Sequence, residues 1–200
     1  MTHFSDLAVV PQGFATEEFI VRPLLVADVD LDYAAVMESK VELRPWEQTG
    51  WPADDFTVAD DLADLEDLEQ RAREKRSFTY TVMTPDETEC LGCVYFMPHD
   101  AKSYARAEIT ALATGSWEQV GATVSFWVRT SRLADGLERR LLDAVLAWVD
   151  DEWEFTGWVV MTNEQCPAQR ATIEAAGLAP SFRVQGPGQP GAYLAFDRAN

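Results

Sequence analysis

Apolar residues recur in two rhythms along this chain. Compact runs rich in β-branched and aromatic residues lie at Phe19–Leu24, Phe78–Met83, Leu91–Met97, Ala122–Arg129 and Gly157–Met161. Such runs predict strands. Elsewhere the apolar residues return every three or four positions. Val29, Tyr33, Val36 and Met37 do so after the cap candidate Asp28; Val58, Leu62, Leu65, Leu68 and Ala72 follow Thr57-x-x-Asp60, a capping-box pattern. Leu137, Leu141, Val145 and Trp148 follow Gly136 in the same way. That spacing places one apolar stripe on a helix. A further helix opens at Pro167 and stops at Gly177. The turn at Thr84-Pro85-Asp86-Glu87 joins two strands, and Phe182–Val184 with Ala192–Phe196 predicts a last hairpin around Gly186–Gly191. Val41–Ala53, with Arg44-Pro45-Trp46 and Gly50-Trp51-Pro52, reads as a loop whose two tryptophans form either a pocket wall or hinge packing. Pro98–Gln119 is polar and mixed, with Glu108–Thr114 as a short strand.

The resulting order is β-α-α-β-β-β-α-β-α-β-β. It predicts an α/β chain (an α+β mixed sheet with helices on its faces), one domain over 19–200 preceded by a loosely docked arm over 1–18.

Composition narrows the function. With 200 residues, 47% of them apolar, the chain holds material for one core, which excludes a disordered protein. Acids outnumber bases 34 to 16, a formal charge of −18. Such a chain repels phosphate backbones and anionic membranes, so nucleic acid and membrane are poor partners. The excess acid is most simply a solvated surface, or else it draws in a cationic substrate such as an amine. Asp60–Arg76 runs from acid to base along the expected dipole of its helix, which is enough to explain that run. Met1–Asp6 lacks the blocks of a signal peptide, so a cytoplasmic protein is expected. Cys90-x-x-Cys93 lies on a predicted strand, where residues three apart point to opposite faces. Zinc would need two more ligands from Cys166, His3 and His99, so the cysteines read as structural and no metal is expected. No Gly-x-Ser-x-Gly elbow, phosphate loop or dinucleotide fingerprint occurs.

The element order, with Phe19-Ile-Val-Arg-Pro-Leu24, Leu91-Gly-Cys-Val-Tyr-Phe96, Ser125-Phe-Trp-Val-Arg129, Gly136-Leu-x-x-x-Leu-Leu142 and Ala175-Ala-Gly-Leu178, resembles the GNAT acyltransferase superfamily over nearly the whole chain. The resemblance implies a GNAT-like acyl-CoA N-acyltransferase fold with acetyl-CoA, or another acyl-CoA, as co-substrate. In that family two central strands splay apart, pantetheine lies in the gap, and the pyrophosphate sits on free amides at a helix start. Carried onto this chain, the cofactor-binding residues are Trp127, Val128, Arg129, Arg132, Ala134, Asp135, Gly136, Leu137 and Arg139, with Asn163 and Cys166 beside the pantetheine. Arg132, Arg139 and Arg140 have a simpler reading as partners of Asp135, Glu138 and Asp143 on the helix surface.

The chain departs from the family at several positions. Leu133 stands where the phosphate loop has a basic residue, and Glu138 where it has a second small one. Thr123 occupies the place of the usual glutamate base, and Ile173 that of the usual tyrosine acid. Substitutes come from Glu42, Ser125 and Tyr95 as candidate catalytic residues, with His99 also near. Each has a plainer reading, as a solvated acid, a small strand residue, a core ring and a loop histidine; Asn163 or Cys166 likewise reads as a helix cap. Trp46, Trp51 and Thr123 are the candidate substrate-pocket residues. The expected acceptor is a small-molecule or peptide amine, and a homodimer is left open. The alternative is a catalytically inactive ligand-binding or interaction module on the same fold.

Overall fold

The structure, a computed structural model, describes residues 4–198; His3 lies outside the described residues. Its elements in chain order are β1 (Phe14–Ala15), β2 (Ile20–Pro23), α1 (Val29–Glu38), α2 (Lys40–Glu47), α3 (Val58–Arg73), β3 (Phe78–Met83), β4 (Cys90–Met97) and β5 (Glu108–Ala111). There follow β6 (Ala122–Val128), α4 (Thr130–Leu133), α5 (Leu137–Glu152), β7 (Trp158–Asn163), α6 (Pro167–Ala175), β8 (Leu178–Gln185) and β9 (Tyr193–Arg198). The strands form one sheet in the order β1-β2-β3-β4-β6-β7-β9-β8-β5. Every pairing is antiparallel except β6 with β7.

The sheet is covered on both faces, which is why the central strands are apolar throughout rather than alternating. One face carries α5, whose Leu137, Leu141, Leu142, Val145, Trp148 and Val149 are buried against Tyr80, Val94, Phe96, Phe126 and Val160. Burying each such side chain contributes about 1.5–3 kcal/mol. The other face carries α1 and α3 over Met83, Cys90, Cys93 and Trp127. A third cluster, with Trp117, Met161, Phe182 and Val184, lies toward the end of the sheet that β5 closes.

Two expectations change. Residues 4–18 are not a loose arm: Phe4 and Leu7 are buried in the α5-side core, Lys75 Nζ donates to the Leu7 carbonyl, and β1 extends the sheet. The expected loop at 41–53 begins as helix α2, with Pro45 inside it. The proline removes one helical hydrogen bond. Burial of Leu43 and the Arg44 Nε bond to the Pro52 carbonyl (2.9 Å) offset that loss. The helix ends at Gln48 in the left-handed conformation, three residues past the proline.

Candidate active site

The parallel pairing of β6 and β7 spans Ala122↔Trp158 to Ser125↔Met161 and then stops. Phe126–Val128 on one strand and Thr162–Asn163 on the other have no ladder with each other, so a gap opens here. Strand polar groups alternate sides. The Phe126 carbonyl faces the gap, where it accepts from Gln169 Nε2 (3.0 Å), and the Val128 N–H two residues on shares that side. Gln169 spans the opening: its Oε1 accepts from Thr162 Oγ1 (2.6 Å), and its Nε2 also reaches Glu138 Oε1 (3.3 Å). The sequence offered no signal for this glutamine. Asn163 is fully buried; its Oδ1 accepts the Gln165 N–H, and its Nδ2 has no partner among the described residues. Cys166 is half-buried at the start of α6, and burial pushes its thiol up to about 11, with the Glu138 charge adding to the effect.

The turn into α5 uses much of its own backbone. The N–H groups of Arg132, Asp135 and Gly136 donate to Arg129, Arg132 and Leu133 carbonyls, and those of Thr130 and Ser131 donate to Ser39 Oγ and Glu38 Oε1. Gly136 then takes the left-handed conformation at φ 72° as the N-cap, with no side-chain cap. The first-turn N–H groups of Leu137, Glu138 and Arg139 have no helical acceptor, so this is where free amides remain. Glu138 does not fold over them. Its carboxylate reaches α6, accepting from Thr172 Oγ1 (2.8 Å) and Gln169, and burial holds its pKa above the ordinary value.

The arginines expected at the cofactor are engaged elsewhere. Arg129 pairs with Glu38 and Glu89, Arg132 with Glu89, Arg139 with Asp143, and Arg140 with Glu18. Of the surface pairs expected, only Arg139–Asp143 forms. Arg129 brings Glu38 down to about 2, the Ser131 hydroxyl and N–H assisting. The Arg129 N–H donates to the Leu91 carbonyl (2.8 Å), so it cannot polarise a thioester. Ala134 and Asp135 are exposed in the turn. Trp127 turns its ring into the α1–α3 core and donates its indole N–H to the Tyr95 hydroxyl (3.0 Å).

On that same face a groove of about 1180 Å³ runs across the sheet, lined by Ser125, Tyr95, Met161, Tyr104, Tyr193, Trp46 and Trp51. Ser125 and Tyr95 are register partners on β6 and β4, so both point into it. Burial pushes the Tyr95 hydroxyl well above its ordinary pKa, which keeps it protonated. Trp46 and Tyr95 rings lie 5.8 Å apart, and the Trp51 indole donates to Asp64 Oδ2 (3.1 Å). Trp46 is therefore a wall residue, but from helix α2. Tyr104 and Tyr193 were missed by sequence reading because they sit in the polar stretch and at the last strand's start. Tyr104 bonds Thr123 Oγ1 (3.0 Å) and burial raises it to about 12; Tyr193 donates to the Glu47 carbonyl (2.8 Å). Thr123 itself is buried and also bonds the Met97 carbonyl, so it supports Tyr104 rather than forming groove surface. Glu42 is exposed on α2, accepts from the Thr130 hydroxyl (2.9 Å), and is not among the groove's lining residues. Ile173 is fully buried in the α5-side core and carries no proton. His99 contributes its carbonyl, to the Trp117 indole.

Cys90 and Cys93 share a face, against expectation. A bulge between Val82 and Met83 pairs Gly92 with one and Cys90 with the other, and the extra residue turns Cys90 over. Both thiols lie near Asp32 Oδ1, at 3.7 and 3.5 Å.

No protein-family model and no curated protein matches the sequence. Solved structures do. A ribosomal-protein-S5-alanine acetyltransferase from Vibrio fischeri superposes with a TM-score of 0.68 at 16% identity, over 94% of this chain and 96% of its own. A GNAT-family acetyltransferase from Bordetella pertussis gives 0.64 at 17% identity, over 94% and 100%. The microcin C7 self-immunity acetyltransferase MccE, in complex with acetyl-CoA and AMP, gives 0.64 at 12% identity, over 96% and 98%. Element order, splayed parallel pair and superposition agree: this chain has the GNAT acetyltransferase fold.

Proposed function

We propose that the protein is an acyl-CoA-dependent N-acyltransferase, with acetyl-CoA as donor and an amine as acceptor. The observation that carries this reading is the continuity of three features: free amides at the start of α5, the gap between β6 and β7, and a groove meeting that gap at Ser125. A diphosphate is held by the N–H groups of Leu137, Glu138 and Arg139 and by the helix dipole. The pantetheine arm displaces Gln169 from Phe126, pairs with the strand groups that it frees, and passes Asn163, whose Nδ2 donates to a pantetheine carbonyl. The Val128 N–H polarises the thioester carbonyl.

The amine attacks that carbonyl, the C–N bond forms, and the C–S bond breaks. One amine proton leaves to groove water oriented by Ser125. Tyr95, protonated and fixed by Trp127, returns a proton to the departing thiolate. Positioning supplies most of the rate, since no carboxylate occupies the usual base position.

The test is thermal unfolding with and without 1 mM acetyl-CoA. Specific binding raises the melting temperature by mass action. No shift at saturating ligand contradicts the reading. A shift with no thiol release across an amine panel favours the alternative, a binding module whose gap is laced by Gln169.

A further inference from the structure

The groove that holds Ser125 also holds a carboxylate with nothing to bind. Asp61 on α3 is 1% exposed, and neither of its oxygens has a hydrogen-bond partner among the described residues. Burying a carboxylate without a partner is costly, and protonation relieves that cost. Two more acids line the same groove: Asp32, 5% exposed, which accepts from the two thiols, and Asp64, which accepts from Trp51. None of the three takes part in an ion pair among the described residues; Arg71, Lys75, Arg76 and Lys102 share the lining and Arg71 acts on Asp64, but the charges acting on Asp61 and Asp32 are those of other carboxylates. The rings of Trp46 and Trp51 also line the groove. Buried carboxylates such as Asp61 and Asp32, whose charged neighbours are other carboxylates, beside aromatic faces are the chemistry that receives an organic cation.

We infer that the groove selects an acceptor carrying a second cationic group, an ammonium or guanidinium, seated against Asp61 and Asp32 beneath Trp46 and Trp51 while the reacting amine lies at Ser125. The inference rests on the acyl-transfer reading only in calling the bound cation an acceptor. Burial and the charges of Asp32 and Asp64 push Asp61 up to about 8, so the arriving cation exchanges with a proton there.

The test is calorimetric titration of the full chain, without acetyl-CoA, using agmatine as a dication and pentylamine as a shorter monocation. The wild type should bind agmatine at least about tenfold more tightly, and Asp61→Asn should lose that preference. Raising the salt concentration in the wild type should weaken agmatine more than pentylamine, a readout that needs no variant to fold. Equal affinities, equal salt dependence, or a preference retained in folded Asp61→Asn would overturn the inference. Because no thioester is present, a protein that binds agmatine but never releases thiol would leave this site standing while the transfer reading fails. Turnover on pentylamine and agmatine at equal kcat/KM would do the reverse.

Discussion

Glu138 and Tyr95 carry opposite consequences for the same reaction. Glu138 stands in the first turn of α5, beside the amides assigned to the diphosphate, and is turned aside by Thr172 and Gln169. Its charge still opposes an anion at that helix start. Glu138→Ala should tighten acetyl-CoA binding about fivefold, roughly 1 kcal/mol, read by calorimetry. The same change should lower the unfolding free energy by about 1 kcal/mol through the lost bonds to α6. Tyr95→Phe removes the proton donor and leaves the Trp127 indole without its acceptor. Steady-state kinetics should show kcat falling about a hundredfold with KM nearly unchanged. A KM effect with unchanged kcat would assign Tyr95 to packing alone.

Among the elements, the α5 start is the most exposed to test. A Cβ on Gly136 would meet only the far end of Arg140, at 3.3 Å, and aspartate tolerates the left-handed conformation at a cost of about 1 kcal/mol. Gly136→Asp should therefore stay folded by circular dichroism while losing acetyl-CoA affinity by at least about tenfold, because its carboxylate occupies the amides. The strands and main helices were legible because buried runs and helical spacing are local signals. Helix α2 was not: Pro45 and Trp46 read as loop, and its stability comes from distant partners, Pro52 through Arg44 and Gly191 through Gln48. The shared face of Cys90 and Cys93 was hidden for a similar reason, since a bulge depends on the partner strand. Ser125, Tyr95, Trp46 and Trp51 were found on strands or between prolines and do line the groove. Gln169, Asp61, Tyr104 and Tyr193 were not found, because nothing local distinguishes them from cap, surface or core residues. Arg139 pairs with Asp143 as its spacing indicates, whereas Arg129, Arg132 and Arg140 pair with Glu38, Glu89 and Glu18, acids distant in sequence that the sequence order does not reveal.

For the molecule as a whole, a net charge of −18 is distributed unevenly in its effects. Glu38, Glu18, Asp54 and Glu74 sit below their ordinary pKa, so they stabilise the fold until the pH falls under the usual carboxylate range. Asp61 and Asp32 behave in the opposite sense. Burial raises them to about 8 and about 6, so the folded state holds protons that the unfolded chain has released. Their stabilising contribution is full at acid pH and is lost as pH rises through those values. Melting temperature should thus fall between about pH 5 and pH 8.5, and Asp61→Asn should flatten the upper part of that slope. A profile that rises across the window, or one that the variant leaves unchanged, would contradict the buried-acid account.

Release of free thiol from acetyl-CoA in the presence of agmatine tests the whole chain of reasoning at once. The account predicts thiol that appears only when protein, thioester and amine are all present, with one N-acetyl product formed per thiol. Thiol release that ignores the amine, or no release despite saturating acetyl-CoA, would contradict it.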